Sequence, residues 1–143
     1  MSKGNNQRAV ICGIAVVPLT VITMGAPMGL GVAQVRLNGV ELIFKRPQSA
    51  SFTEKKSASG DYVVQELEAT FTDTTYQEVG VWRGQMDEDS IVLVKYSNGE
   101  TRVVGTDRSP VRCEMDESGT PRTVKLSFKR KSPEFSKIAE SLN

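Results

Sequence analysis

From Ala9 to Val35 the chain runs for 27 residues without a charged side chain. Lys3 and Arg8 precede this run, and the other 33 charges all fall in the 108 residues from Arg36 onward. A segment so free of charge is buried, inserted in a membrane or removed, and its composition bears on which. Ala9 to Pro27 is apolar enough for a membrane-span candidate, with Lys3 and Arg8 as inside anchors. As an export signal, the same stretch offers a basic start, an apolar middle and Gly31-Val32-Ala33 as a small-residue cleavage site. Pro18 and the glycines at 13, 25, 29 and 31 make a poor helix, because glycine costs about 1 kcal/mol and proline about 3 kcal/mol in a helix interior. Val10, Ile11, Ile14, Val16, Val17, Val21 and Ile22 instead favour strands. The run is therefore expected to form two buried strands, 9–17 and 19–24, followed by a Gly/Pro/Met loop from Met24 to Gly31. An apolar loop is poorly matched to water and predicts a partner that covers it.

The charged zone reads as strands joined by turns. Residues 34–43 have the pattern of a β-hairpin about Asn38-Gly39, with Leu37 facing Val40, Arg36 facing Glu41 and Val35 facing Leu42. Ala50 to Lys56 is expected as an edge strand, its two lysines discouraging further pairing. Tyr62 to Thr72 alternates, setting Val63, Leu67, Ala69 and Phe71 against Glu66, Glu68 and Thr70. Gln77 to Arg83 is predicted as a strand around Val79, Val81 and Trp82, followed by an acidic turn from Met86 to Asp89. Ile91 to Tyr96 is the continuous apolar run of a central strand buried on both faces. A two-residue loop at Asn98-Gly99 would set Lys95 opposite Arg102, so a three-residue loop with a left-handed Gly99 is expected. Val111 to Met115 and Arg122 to Lys129 pair about residues 116–119, with Val124, Leu126 and Phe128 inward. At the C-terminus Ser132 suits an N-cap and Pro133 the first helical position, and Phe135, Ile138, Ala139 and Leu142 follow at helical spacing. A helix this short is marginal alone, so its apolar face needs a dock.

The fold class is therefore all-β: an antiparallel β-sandwich or small barrel with one short C-terminal helix. The 143 residues fit one domain, with apolar strands and a loop over 1–33, a β core over 34–131 and the helix over 132–143.

Catalytic chemistry finds little support. With no histidine there is no Ser-His-Asp or Cys-His pair and no His-ligated zinc. Cys12 and Cys113 are the two cysteines, expected to be free and buried inside a cell and able to pair only after export. Asp87, Glu88 and Asp89 lack the remaining ligands of a calcium loop. Glu66 and Glu68, about 7 Å apart on one strand face, have no aromatic sugar platform beside them. Lys125, Lys129, Arg130 and Lys131 are the one basic cluster, read as a solvated face or as a phosphate contact in a nucleic-acid-binding module. The net charge of +1 speaks against coating nucleic acid. No catalytic, metal or cofactor-binding residue is assigned, and no cofactor is expected.

Residues 91–106, Ile91-Val92-Leu93-Val94-Lys95-Tyr96-Ser97-Asn98-Gly99 returning through Thr101-Arg102-Val103-Val104-Gly105-Thr106, precede Thr123 to Phe128 and Ser132-Pro133. This order, over about residues 42–142, resembles small tail or neck structural proteins of tailed bacteriophages and prophages. The resemblance implies a non-enzymatic virion subunit, of the tail-tube, terminator or connector-ring kind, built in the host cytoplasm. It implies partners that are further copies of the chain in a ring and other tail or neck proteins, joined through edge strands, loops and terminal segments. Met24, Met28 and Leu30 of the apolar loop and Phe135, Ile138 and Leu142 of the terminal segment are the expected interface residues. The alternatives are a nucleic-acid- or sugar-binding β-barrel module and an exported or membrane-anchored small β domain.

Overall fold

The charge-free run folds into strand β1 (Ile11–Pro18), a 3-10 turn (Leu19–Val21), strand β2 (Ile22–Gly25) and most of strand β3 (Val32–Leu37). The structure is a computed structural model that describes residues 9–39, 41–72, 74–119 and 122–142. The rest of the chain supplies β4 (Ser49–Lys56), β5 (Val63–Phe71), helix α1 (Tyr76–Met86), β6 (Ser90–Tyr96) and β7 (Thr101–Val104). Strands β8 (Glu114–Ser118), β9 (Thr123–Ser132) and β10 (Lys137–Leu142) complete it. Two sheets result, one of order β1-β6-β7-β10-β3-β2 and one of order β4-β5-β9-β8. The all-β class with two sheets and one short helix is as expected, with the helix in the middle of the chain.

Connectivity forces the larger sheet to curl. A flat six-stranded sheet holds its edge strands about 24 Å apart. Yet edges β1 and β2 are joined by only Leu19–Val21, a link that reaches about 14 Å at most. The sheet bends into a small barrel whose interior takes Ala15, Val17, Ile22, Val35, Leu93 and Val103. Its outer side at β1, β6 and β7 presents Ile14, Val92, Val94 and Val104 to Leu67, Phe71, Val124 and Leu126 of the second sheet. β1 and β6 are thus covered on both faces, which is why their sequences carry so little charge. At Gly13 a Cβ would meet Phe44 Cβ at 2.9 Å, so the β1 bulge there needs glycine for close approach.

Several expectations hold in detail. Strand β4 is an edge, β5 turns Val63, Leu67, Ala69 and Phe71 inward, and β9 turns Val124, Leu126 and Phe128 inward. Lys95 pairs with Thr101 rather than Arg102, and Gly99 has φ +92°, as a three-residue loop requires.

Four expectations are corrected. The Asn38-Gly39 hairpin does not form. Leu37 pairs with Ile22 and Val35 with Met24 and Leu142, because β3 gains antiparallel β2 on one side and parallel β10 on the other. Val40 lies outside the described residues, Leu42 and Phe44 pack against the barrel interior, and Lys45 bridges Ile14. Residues 77–83 are helical rather than a strand. Thr75 Oγ1 accepts from Glu78 N at 3.2 Å and Glu78 Oε1 accepts from Thr75 N at 3.0 Å, a capping box that starts α1. The expected C-terminal helix is strand β10, which fills the gap between β7 and β3 and satisfies main-chain groups on both sides. Ser132 ends β9, its hydroxyl donating to Glu134 O at 2.7 Å in a tight turn. Finally, Ser118 pairs with Thr123, so Asp116 and Glu117 belong to β8 rather than to a turn.

Candidate assembly surface

The expected interface residues converge on one end of the barrel. Strands β2 and β3 run into the loop 26–31, and β9 turns through 133–136 into β10 beside it. Ile138 N donates to Gly31 O at 2.8 Å, and Ile138 lies beside Val32 in the parallel pairing. Met28 and Phe135 line one small cavity of about 140 Å³. Met28, Leu30, Phe135 and Ile138 are all exposed, with Val32 between them. Met24 instead turns half-buried toward the barrel interior, and the Leu142 side chain lies outside the described residues.

Beneath these side chains Lys137, only 2% exposed, fixes the loop. Its ammonium donates to Pro27 O at 3.0 Å, to Leu30 O and to Glu134 Oε1 at 3.2 Å. Glu134 Oε1 also accepts from Gly29 N at 2.7 Å, and Arg108 Nη2 donates to Ala26 O at 2.6 Å. A buried ammonium needs such oxygens around it, and here they belong to the loop it holds. The apolar tip is therefore preset rather than ordered on contact.

A polar seam backs this end between the sheets. Gln65 donates to Glu54 Oε1 and accepts from Arg130, each at 2.8 Å, so its amide dipole bridges opposite charges. Glu54 also accepts from Ser136 Oγ at 2.7 Å, and Arg130 donates to Ser109 O at 2.9 Å. Burial holds the Arg130 guanidinium below its ordinary pKa. Sequence reasoning missed Lys137, Glu134, Gln65 and Arg108. An isolated charge in an apolar segment carries no local signal of the carbonyls it will meet.

The second sheet has a different surface. Its outward residues form charged columns: Glu66 and Glu68 on β5, Lys125, Lys129 and Lys131 on β9, Glu114 and Asp116 on β8. Lys125 pairs with Glu68 at 3.3 Å. The basic cluster is thus split: Arg130 turns into the seam, and the β9 lysines stand between carboxylate columns. Glu66 and Glu68 face solvent rather than a cleft.

The other groups singled out from the sequence are dispersed. Asp89 pairs with Arg112 at 2.9 Å, an exposed contact that raises the Arg112 pKa. Cys12 and Cys113 are free, and desolvation pushes the Cys113 thiol up to about 12. Among the described residues no group of three or more His, Cys, Asp or Glu is placed to hold a metal ion. No helix among them is long and apolar enough to cross a membrane. Among known proteins, no family model, no curated protein and no solved structure matches this chain.

Proposed function

We propose that this chain is a non-enzymatic structural subunit of a phage tail or neck that self-assembles into a ring. The observation that carries the reading is the pair of free edges on the four-stranded sheet. Edge β4 carries exposed Lys55 and Lys56, whereas edge β8 carries exposed Glu114 and Asp116. Two β4 edges repel each other, as do two β8 edges, while β4 and β8 attract. Because the sheet holds four strands in antiparallel alternation, β8 and β4 run in opposite directions. A second copy placed alongside therefore continues the antiparallel order, and because Lys55 lies level with Lys131 and Glu114 with Ser127, a stagger of four residues along the strands brings the opposite charges together. Such a contact joins unlike surfaces, and unlike-surface contacts generate rings when the rotation closes. The resemblance to tail and neck proteins supplies the virion setting, and the preset apolar tip offers a further surface for tail or neck partners.

The test is the absolute mass of the full-length protein under charge reversal. Lys55→Glu with Lys56→Glu is expected to abolish the ring-sized multiple. Adding Glu114→Lys and Asp116→Lys to the same chain is expected to restore it. A multimer indifferent to these changes overturns the edge contact, and a persistent single chain overturns self-assembly into a ring.

A further inference from the structure

Of the eight large apolar side chains exposed among the described residues, five form the tip patch and two, Ile43 and Val81, stand on one groove. This groove, of about 470 Å³, lies between β1, the segment 41–45 and helix α1. Val16 and Val17 are on one wall and Trp82 on another, and the Lys45–Glu78 ion pair, 3.0 Å long, stands beside it. Ile43 is 71% exposed and Val81 59% exposed, so an apolar recess has an apolar rim. A volume in the range of about 300–1,000 Å³ accommodates ligand-sized groups. Exposed apolar surface concentrated in this way marks a contact rather than chance scatter.

The β2–β3 ribbon links the recess to the tip. Val21 and Leu37 line the groove, and Leu37 pairs with Ile22 at that end of the ribbon. Gly25 pairs with Gln34 at the other end, where the loop 26–31 begins. One rigid ribbon thus carries an apolar projection at one end and an apolar recess at the other. We propose that the Met28–Leu30 tip of one copy seats in this groove of the next copy, so that the chain also stacks head to tail along the ribbon.

Three observations favour a second copy as the occupant. A projection and a recess on the same molecule are the requirement for an open head-to-tail contact. The charges beside them are opposite: exposed Glu41 lines the groove, exposed Arg108 stands at the tip, and neither has an ion pair among the described residues. Lys137 and Glu134 hold the tip in place before contact, which lowers the ordering cost of association. The inference deepens the proposed assembly and rests on its premise that copies associate, but it uses residues that lie on neither the β4 nor the β8 edge.

The experiment combines a charge reversal with cross-linking. Glu41→Arg is expected to weaken stacking by about tenfold or more, and Glu41→Asp, which keeps the charge, to retain most of it. Full-length protein with a photo-cross-linking residue in place of Met28, mixed from light and heavy isotope preparations, is expected to join residue 28 of one copy to 41–45 or 77–85 of another. Multimers whose cross-links between copies land elsewhere, or are lacking, overturn the tip-in-groove contact and leave the ring reading standing. A single chain at every concentration, with no cross-link between copies, overturns both.

Discussion

The barrel sheet takes half of its strands from the uncharged part of the chain and links its edges β1 and β2 through three residues. The four-stranded sheet comes wholly from the charged part and leaves β4 and β8 without an outer strand neighbour among the described residues. One sheet buries both faces over much of its width, whereas the other buries one face and covers the second with charged columns. Burial on two faces is thus a property of the barrel sheet, and the proposed capacity to extend lies at the charged edges of the other. An edge that is not closed within the subunit needs charge to select its partner.

The sharpest way to break this comparison is to empty the barrel interior. Leu93, fully buried inside the barrel, is expected to cost about 2–5 kcal/mol when replaced by alanine. Denaturant unfolding checks this, and a loss below roughly 1 kcal/mol would contradict a packed barrel interior. Lys137→Met comes next. It leaves loop carbonyls without the donor that held them, at a cost of about 1–3 kcal/mol. Faster hydrogen exchange confined to residues 26–31 would locate the effect at the tip. Thr75→Ala removes the α1 cap and is expected to cost about 1 kcal/mol, read from the same unfolding curves.

The smallest expected effect is one of pH. The Thr75 main-chain N–H, followed by Lys45, holds the Glu78 carboxyl below its usual value of 4.5. A lowered folded-state pKa stabilises above the unfolded value and loses that contribution as pH falls through the folded one. The stability advantage of the wild type over Glu78→Gln should therefore be present at pH 6 and fade below about pH 4.5. An advantage that grows on acidification would contradict the capping geometry.

Legibility from sequence follows the same division. Strands whose pattern is set by their own burial were readable: the alternation of β5 and β9, the doubly buried β6, and the Asn98-Gly99 loop, whose register is decided by Lys95 and Arg102. Where a distant partner decides, local pattern misled. The segment 34–43 is a self-consistent hairpin by its own pairs, but β3 gains more main-chain partners from β2 and β10 than residues 40–43 could offer. Phe135, Ile138 and Leu142 have helical spacing, yet the open edges of β7 and β3 recruit this segment as a strand. Helix α1 was legible in Thr75 and Glu78 as a capping box, and the two internal glycines and the valines obscured it. The tip was partly legible, through Met28, Leu30, Phe135 and Ile138. Lys137 beneath it was not, since its partners are carbonyls more than a hundred residues away in sequence.

The most direct test of the account is light scattering on the sized, full-length protein, beside the Lys55→Glu/Lys56→Glu chain. In chains that carry Glu41→Arg to suppress head-to-tail stacking, the account predicts a ring-sized multiple of 15.7 kDa with Lys55 and Lys56 in place and 15.7 kDa after their reversal, both folded. A wild-type protein of 15.7 kDa at every concentration, or a multimer untouched by the reversal, would contradict it.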